Sequence, residues 1–351
     1  MSDYPIQLLA NIYRNTSGSS LWIADENLSA SEISHLRLSD TTLICTNRVD
    51  VYSELIKQHT NTELSDFSFE KAKPNSIDTI FYRISKEKPI VHHVINRSFD
   101  LLKEGGQLIM TGYKNDGTKT YFDKTRKLFD GASSWRKEDQ QSYCGTITKN
   151  TQRNSTPKFL DDKDYSTLRS IAQIGDINFH SKPGIFGWDK IDRGSKFLID
   201  HLQEFVDQCK TPPSSLLDLG CGYGYLSIMA SKLLNIPVTA TDNNVTSVAI
   251  CKHNMKLNQV SGKVVLDNCG SDITEKFDAV LCNPPFHQGF SVEGQLTDHF
   301  LSNCKRLLKP GGRAIFVVNC FIPLEKKAAS HFSNVETLAN NKSFKLICTS
   351  A

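Results

Sequence analysis

A chain of 351 residues exceeds one ordinary hydrophobic core and fits two domains of average size. Its 39% hydrophobic and 23% charged residues, with no low-complexity tract, exclude a disordered or fibrous chain. The net charge of only +3 means that contact with a polyanion has to come from local basic patches. No apolar run reaches the roughly eighteen residues of a membrane span, and residues 1–14 lack the basic start and apolar run of a secretory signal.

In chain order, the first informative feature is an internal repeat. Ser76-Ile77-Asp78-Thr79-Ile80-Phe81 is followed, after a helical stretch, by Leu101-Leu102-Lys103-Glu104-Gly105-Gly106-Gln107-Leu108-Ile109. Lys276-Phe277-Asp278-Ala279-Val280-Leu281 is followed in the same way by Leu307-Leu308-Lys309-Pro310-Gly311-Gly312-Arg313-Ala314-Ile315. Each copy opens a β-rich run with Asp and ends a helix at a glycine pair, which supplies the left-handed turn back into a strand. The ordered pair of matches points to duplication. The first half has no glycine loop: its nearest counterpart reads Asp40-Thr41-Thr42-Leu43-Ile44-Cys45-Thr46-Asn47-Arg48, where side chains would block a nucleoside. A degenerate domain over 1–155 and a catalytic domain over 156–351 are therefore expected, divided at the polar stretch 149–158.

Between Lys114 and Lys158 the chain carries Lys114, Lys119, Lys124, Arg126, Lys127, Arg136, Lys137, Lys149, Arg153 and Lys158 against five acids, a local excess of +5. Tyr121, Phe122, Trp135 and Tyr143 are interleaved. This is either a phosphate-binding face or an ordinary solvated helix face.

Residues 215–219 read as a strand running into Gly220-Cys221-Gly222-Tyr223-Gly224, with a helix through Leu234. Strand, glycine turn and helix form the first unit of a doubly wound sheet, whose ligands gather at the carboxyl ends of the strands. The spacing Asp-x-Gly-x-Gly-x-Gly differs from the dinucleotide fingerprint, which has no acid two residues ahead. A carboxylate at Asp218 suits the ammonium or sulfonium of S-adenosylmethionine rather than a pyrophosphate. The next strand, 237–242, ends in Asp242, placed for the ribose hydroxyls with Asn243 beside it. A third, 263–268, brings Asp267 or Asn268 toward the adenine. The alternative for these acids is helix capping.

A fourth strand, 278–282, delivers Asn283-Pro284-Pro285-Phe286 to the same edge. Consecutive prolines cannot continue a ladder and fix a stiff loop. The Asn283 side-chain carbonyl and the Pro284 main-chain carbonyl can each accept one hydrogen of an amino group. That favours the pyramidal, partly positive nitrogen which develops during attack on a methyl group. Phe286 offers a face for a stacked base. Residues 335–338 and 344–348 read as a closing antiparallel hairpin. The ten scattered cysteines form no C-x-x-C pair, so no metal site is expected, and a reducing cytoplasm is the simpler setting.

Together these residues resemble class I amino-methyltransferases. The segment Lys182-Pro183-Gly184-Ile185-Phe186-Gly187-Trp188-Asp189-Lys190-Ile191-Asp192-Arg193-Gly194-Ser195 is similar to the one preceding the core in bacterial 16S rRNA guanine-N2 methyltransferases of the RsmC type. The resemblance is strong over about 180–320 and topological over 1–150. It implies an α/β protein of two tandem class I methyltransferase-like domains, Rossmann-like with seven-stranded mixed sheets, the N-terminal one degenerate. It also implies S-adenosyl-L-methionine as cofactor, with Phe186, Asp192 and Gly194 bordering its pocket. The implied partner is 16S rRNA or the small ribosomal subunit, without a membrane or an obligatory protein partner, and the inactive domain would aid folding and RNA grip. Open alternatives are large-subunit guanine, adenine N6, a protein glutamine, or a non-catalytic RNA-binding assembly factor.

Overall fold

The computed structural model describes residues 3–33, 36–150, 152, 156–285 and 293–351. They form two compact units, Met1–Thr167 and Leu168–Ala351. The boundary lies beyond the expected 155/156 because the segment after the polar stretch packs back on the first unit. Leu160 lies against its core, and buried Tyr165 donates its hydroxyl to Asp66 at 2.7 Å.

The first unit contains strands β1 (Ser20–Ala24), β2 (Leu43–Thr46), β3 (Thr62–Leu64), β4 (Ile77–Arg83), β5 (Leu102–Tyr113), β6 (Asp130–Lys137) and β7 (Ser142–Lys149). They form one sheet in the order β3-β2-β1-β4-β5-β7-β6, and only β7 runs against the rest. Strands covered on both faces are apolar throughout. Accordingly Leu21 and Ile23 enter one core while Trp22 and Ala24 enter the other.

The second unit opens with a hairpin, β8 (Arg169–Ile174) and β9 (Ile177–Ser181), that the sequence reading did not separate out. Its main sheet comprises β10 (Leu216–Leu219), β11 (Val238–Asp242), β12 (Gly262–Leu266), β13 (Phe277–Cys282), β14 (Leu308–Asn319), β15 (Asn334–Asn340) and β16 (Phe344–Ser350). The order β12-β11-β10-β13-β14-β16-β15 repeats that of the first unit. Strand order reverses between β10 and β13, which puts the ligand crevice of such a sheet at their carboxyl ends.

The duplication extends to side chains at the opposite edge. Asp78 accepts from the Ser19 amide and hydroxyl and pairs with Lys103 at 2.7 Å. Asp278 accepts from the amides and hydroxyls of Ser214 and Ser215 and pairs with Lys309 at 2.9 Å. Gly105 and Gly311 both bend the chain near the start of β5 and β14 with positive φ, +74° and +77°.

Strand registers also correct one expectation. Thr79 meets Gln107 as Ala279 meets Arg313, so 79 and 279 are equivalent positions. Across β1 and β10, Trp22 then stands where Asp218 does, and the glycine loop has its counterpart at Ala24-Asp25-Glu26. The segment 40–48, expected to hold that counterpart, contains β2 and is equivalent to β11. No helix among the described residues is long and apolar enough to cross a membrane.

Candidate active site

Three strand ends converge on the crevice. Asp218, wholly buried near the end of β10, accepts at Oδ2 from the Ser227 amide (2.9 Å) and hydroxyl (2.5 Å), while Oδ1 has no partner. Burial pushes its carboxyl up to about 7, against the two Ser227 hydrogen bonds and with a further push from the charge of Asp242. A carboxyl in that state becomes an anion readily when a cation is placed beside it.

Asp242, at the end of β11, shapes the loop as well as facing it. Its Oδ2 accepts from the Gly222 amide and its Oδ1 from the Asn244 amide, both at 2.9 Å. Asn243 is half-buried between them. Asp267, following β12, is buried and accepts the Asp272 amide at Oδ2, leaving Oδ1 unpartnered; burial raises its pKa. Asn268 turns the chain, its carbonyl accepting from Ser271.

The three loop glycines have different work. A side chain at Gly222 would enter open space, and one at Gly220 would meet only a Phe300 ring atom at 3.8 Å. Space left by missing side chains, facing an acid on either hand, is what a nucleoside needs in order to lie on the backbone. Gly224 is instead a packing residue, since a Cβ there would stand 2.8 Å from the Cys251 sulfur.

Asn283 follows β13. Its amide Nδ2 donates to Asp192 Oδ2 at 2.9 Å and to Ser195 Oγ at 2.8 Å. Asp192 is also the N-cap of the helix Arg193–Asp200, accepting from the Ser195 amide at 2.7 Å. Both amide hydrogens being engaged, the side chain is fixed and its oxygen is the remaining polar face. A shallow cleft lies beside it, lined by Asp192, Asn283, Pro284, Asn319, Ile322 and Phe344 among others. Gly194 lets the chain pass here, because a Cβ would stand 3.1 Å from Asp192 Oδ2 and 3.2 Å from the Phe344 ring. Phe186, on the preceding loop, is 56% exposed. Phe286, expected as the stacking face, lies outside the described residues.

Sequence reading missed Ser195, Ser227 and Phe344. Only Ser195 carried a signal, as the fourth residue of an Asp-x-x-Ser cap.

Two orphaned buried carboxylate oxygens and an open glycine cradle fit a ligand with a cationic amino-acid end and an amino-bearing base. Fold and site together define a class I S-adenosylmethionine-dependent methyltransferase. The family model described as Methyltransferase small domain matches residues 176–348, nearly all of the second unit. Ribosomal RNA small subunit methyltransferase C of Photorhabdus laumondii subsp. laumondii is 28% identical over 302 residues, 86% of this chain and 85% of its own. The protein of that name from Shewanella pealeana is 25% identical over 313 residues, 88% of each. The T. thermophilus 16S rRNA N2 G1207 methyltransferase (RsmC), solved with AdoMet and guanosine, shares the fold with a TM-score of 0.81 at 20% identity, over 99% of this chain and 92% of that one. Along most of its length the chain is similar to RsmC-type class I methyltransferases, and its second unit matches the methyltransferase small domain.

Proposed function

We propose that the protein transfers a methyl group from S-adenosylmethionine to the exocyclic N2 amino group of a guanine in 16S rRNA. The observation that carries this reading is Asn283, held by Asp192 and Ser195 so that its amide oxygen accepts. The choice of small-subunit rRNA is supported by the relatives of that name, which align over most of both chains.

When bound, the cofactor supplies a methyl group on a sulfonium. Asp218 would face the ammonium, Asp242 the ribose hydroxyls, and Asp267 Oδ1 the adenine amino group, with Gly220 and Gly222 beneath. On the acceptor side, the guanine amino nitrogen is a poor nucleophile because its lone pair is spread into the ring. Asn283 Oδ1 and the Pro284 carbonyl each accept one of its hydrogens and hold the lone pair toward the methyl carbon. Donation to the Asp192 carboxylate makes the amide oxygen more negative, which favours the positive charge that grows on nitrogen. The extra proton leaves to solvent after transfer, so no strong base is required.

The first unit is proposed as an RNA grip without catalysis. In support, β6 is exposed along nearly its whole length, and Trp135 is 45% exposed with Lys119 Nζ 5.5 Å over its ring. Lys149 does not belong to such a face: it is buried, donating to Asn75 and to the Leu102 carbonyl. Tyr121 and Phe122 are core residues, and Arg153 lies outside the described residues.

Labelled cofactor incubated with naked 16S rRNA, small subunits or release factor tests the proposal. Label recovered as N2-methylguanosine is expected, with the modified position mapped by primer extension. Label on protein glutamine or in N6-methyladenosine would overturn it, and RNA binding without transfer would point to an assembly factor.

A further inference from the structure

The chain leaves β14 through a tight turn in which the Ile322 amide donates to the Asn319 carbonyl at 3.0 Å. Asn319 and Ile322 both line the cleft beside Asn283 and Pro284. Between them, at the third position of the turn, stands Phe321, 75% exposed, the most exposed large apolar side chain among the described residues. Turn tips ordinarily carry Gly, Asn, Asp or Ser, each for a backbone reason. Phenylalanine supplies none of these and leaves a bare ring in water, so the local fold does not account for it.

The surroundings are basic. Lys326 is exposed on the following helix, Leu324–Ala328. Lys342 is exposed in the turn between β15 and β16, which is tied to this one by the Cys320 amide donating to the Ser343 carbonyl at 3.0 Å. An exposed aromatic ring beside a cleft, with exposed cations on the adjoining helix and turn, suits unpaired nucleic acid, which is gripped through stacking and phosphate contact together. The ring stands beside the cleft and not among its lining residues, a place that suits a base next to the target.

We infer that Phe321 stacks on an unpaired nucleobase adjacent to the guanine being methylated, a positioning contact that fixes which base enters the cleft. This inference rests on the proposed RNA substrate. The test uses the full chain and a 16S rRNA fragment methylated by the wild type, comparing Phe321→Ala with Phe321→Trp. Expected for Phe321→Ala is a rise in KM and in RNA Kd of about tenfold, the size of one lost base–aromatic stack. Its kcat and cofactor affinity should stay within about twofold, and Phe321→Trp should bind like the wild type. Removing the neighbouring base from the fragment should weaken wild-type binding equally and add nothing in Phe321→Ala.

Unchanged RNA affinity in Phe321→Ala overturns the inference, as do additive losses with either neighbour abasic, or a loss that falls on kcat. If the wild type binds the fragment but transfers no label to it, the proposed activity fails while the affinity comparison still decides the role of Phe321. A wild type that binds no RNA overturns both.

Discussion

The two units share a strand order and the amino edge of their sheets, and differ at the carboxyl edge. At the amino edge Asp78 and Asp278 each collect serine hydrogen bonds and a lysine from equivalent places. At the carboxyl edge, Trp22 replaces Asp218, Thr46 replaces Asp242, and Arg83 replaces Asn283. The last exchange keeps its partner type. Asp3 caps the first helix of the first unit as Asp192 caps Arg193–Asp200, and Arg83 reaches it at 2.9 Å while binding Asp116 at 2.6 Å. A guanidinium tied to two carboxylates fills the place where the second unit presents an acceptor oxygen. The edge that holds the sheet together persisted, and the edge that handles ligand was free to change.

The comparison would break most visibly at Arg83. With its side chain 7% exposed, Arg83→Ala leaves Asp116 buried without its cation and should destabilise the first unit by about 3–5 kcal/mol in urea unfolding, with methyl transfer per folded molecule unchanged. Loss of transfer in the folded variant would mean that the first unit takes part in chemistry. At the equivalent position, Asn283→Ala should lower kcat by about 10²–10³-fold and leave cofactor affinity within a few-fold by calorimetry. The same titration should give one cofactor site per chain; a second site of similar affinity would contradict the closed carboxyl edge of the first unit.

Asp218 makes the stability of the second unit depend on pH. In the folded chain it keeps its proton up to about 7, whereas in the unfolded chain it ionises near 4. The folded state therefore holds the extra proton between those values, and stability falls as pH rises from about 4 to 7, by on the order of a few kcal/mol. Asp218→Asn should flatten that part of the profile, and saturating cofactor should reduce it by favouring the carboxylate. Trp22 supplies no such group at the equivalent strand position, but in the loop that follows it burial, with the charge of Glu26, pushes the Asp25 carboxyl well above its usual value.

The smallest effects belong to the shared edge. Asp78→Asn and Asp278→Asn should each remove about 1 kcal/mol or less, since both pairs are partly exposed and screened by solvent. Lys103 and Ser19 hold the Asp78 carboxyl at about 2. For Asp278, burial raises the pKa, but Lys309, Ser214 and Ser215 outweigh it and hold the carboxyl below the usual range. Both contributions are present above about pH 4 and lost as pH falls through the folded values. Acid titration of the single variants, with unequal losses at neutral pH, would show where the duplication has drifted.

What was legible beforehand follows from range. The glycine loop, the strand-end acids and the Asn-Pro-Pro loop are local patterns, and the β11 and β13 placements agree with them to within a residue. The repeat was legible because Lys-x-Gly-Gly marks a turn. The anchoring of Asn283 was not, since Asp192 and Ser195 lie 91 and 88 residues away and nothing in their spacing to it is periodic. Lys149 misled because charge alone does not reveal that two oxygens wait for it under the sheet. The counterpart of the loop was misplaced because β1 of the first unit, Ser20–Ala24, carries no glycine to announce where its strand ends.

The bond between Asn283 and Asp192 also dictates which residue can occupy position 283. An aspartate there would be a stronger acceptor for a developing cation, and by charge alone the better choice. It has no hydrogen to give, so its carboxylate would face that of Asp192 across the 2.9 Å now spanned by an N–H. Either the loop would swing away or one acid would take up a proton and cease to help. The amide is thus the compromise that a distant helix cap imposes, and a functional Asp at 283 would first need a neutral residue at 192.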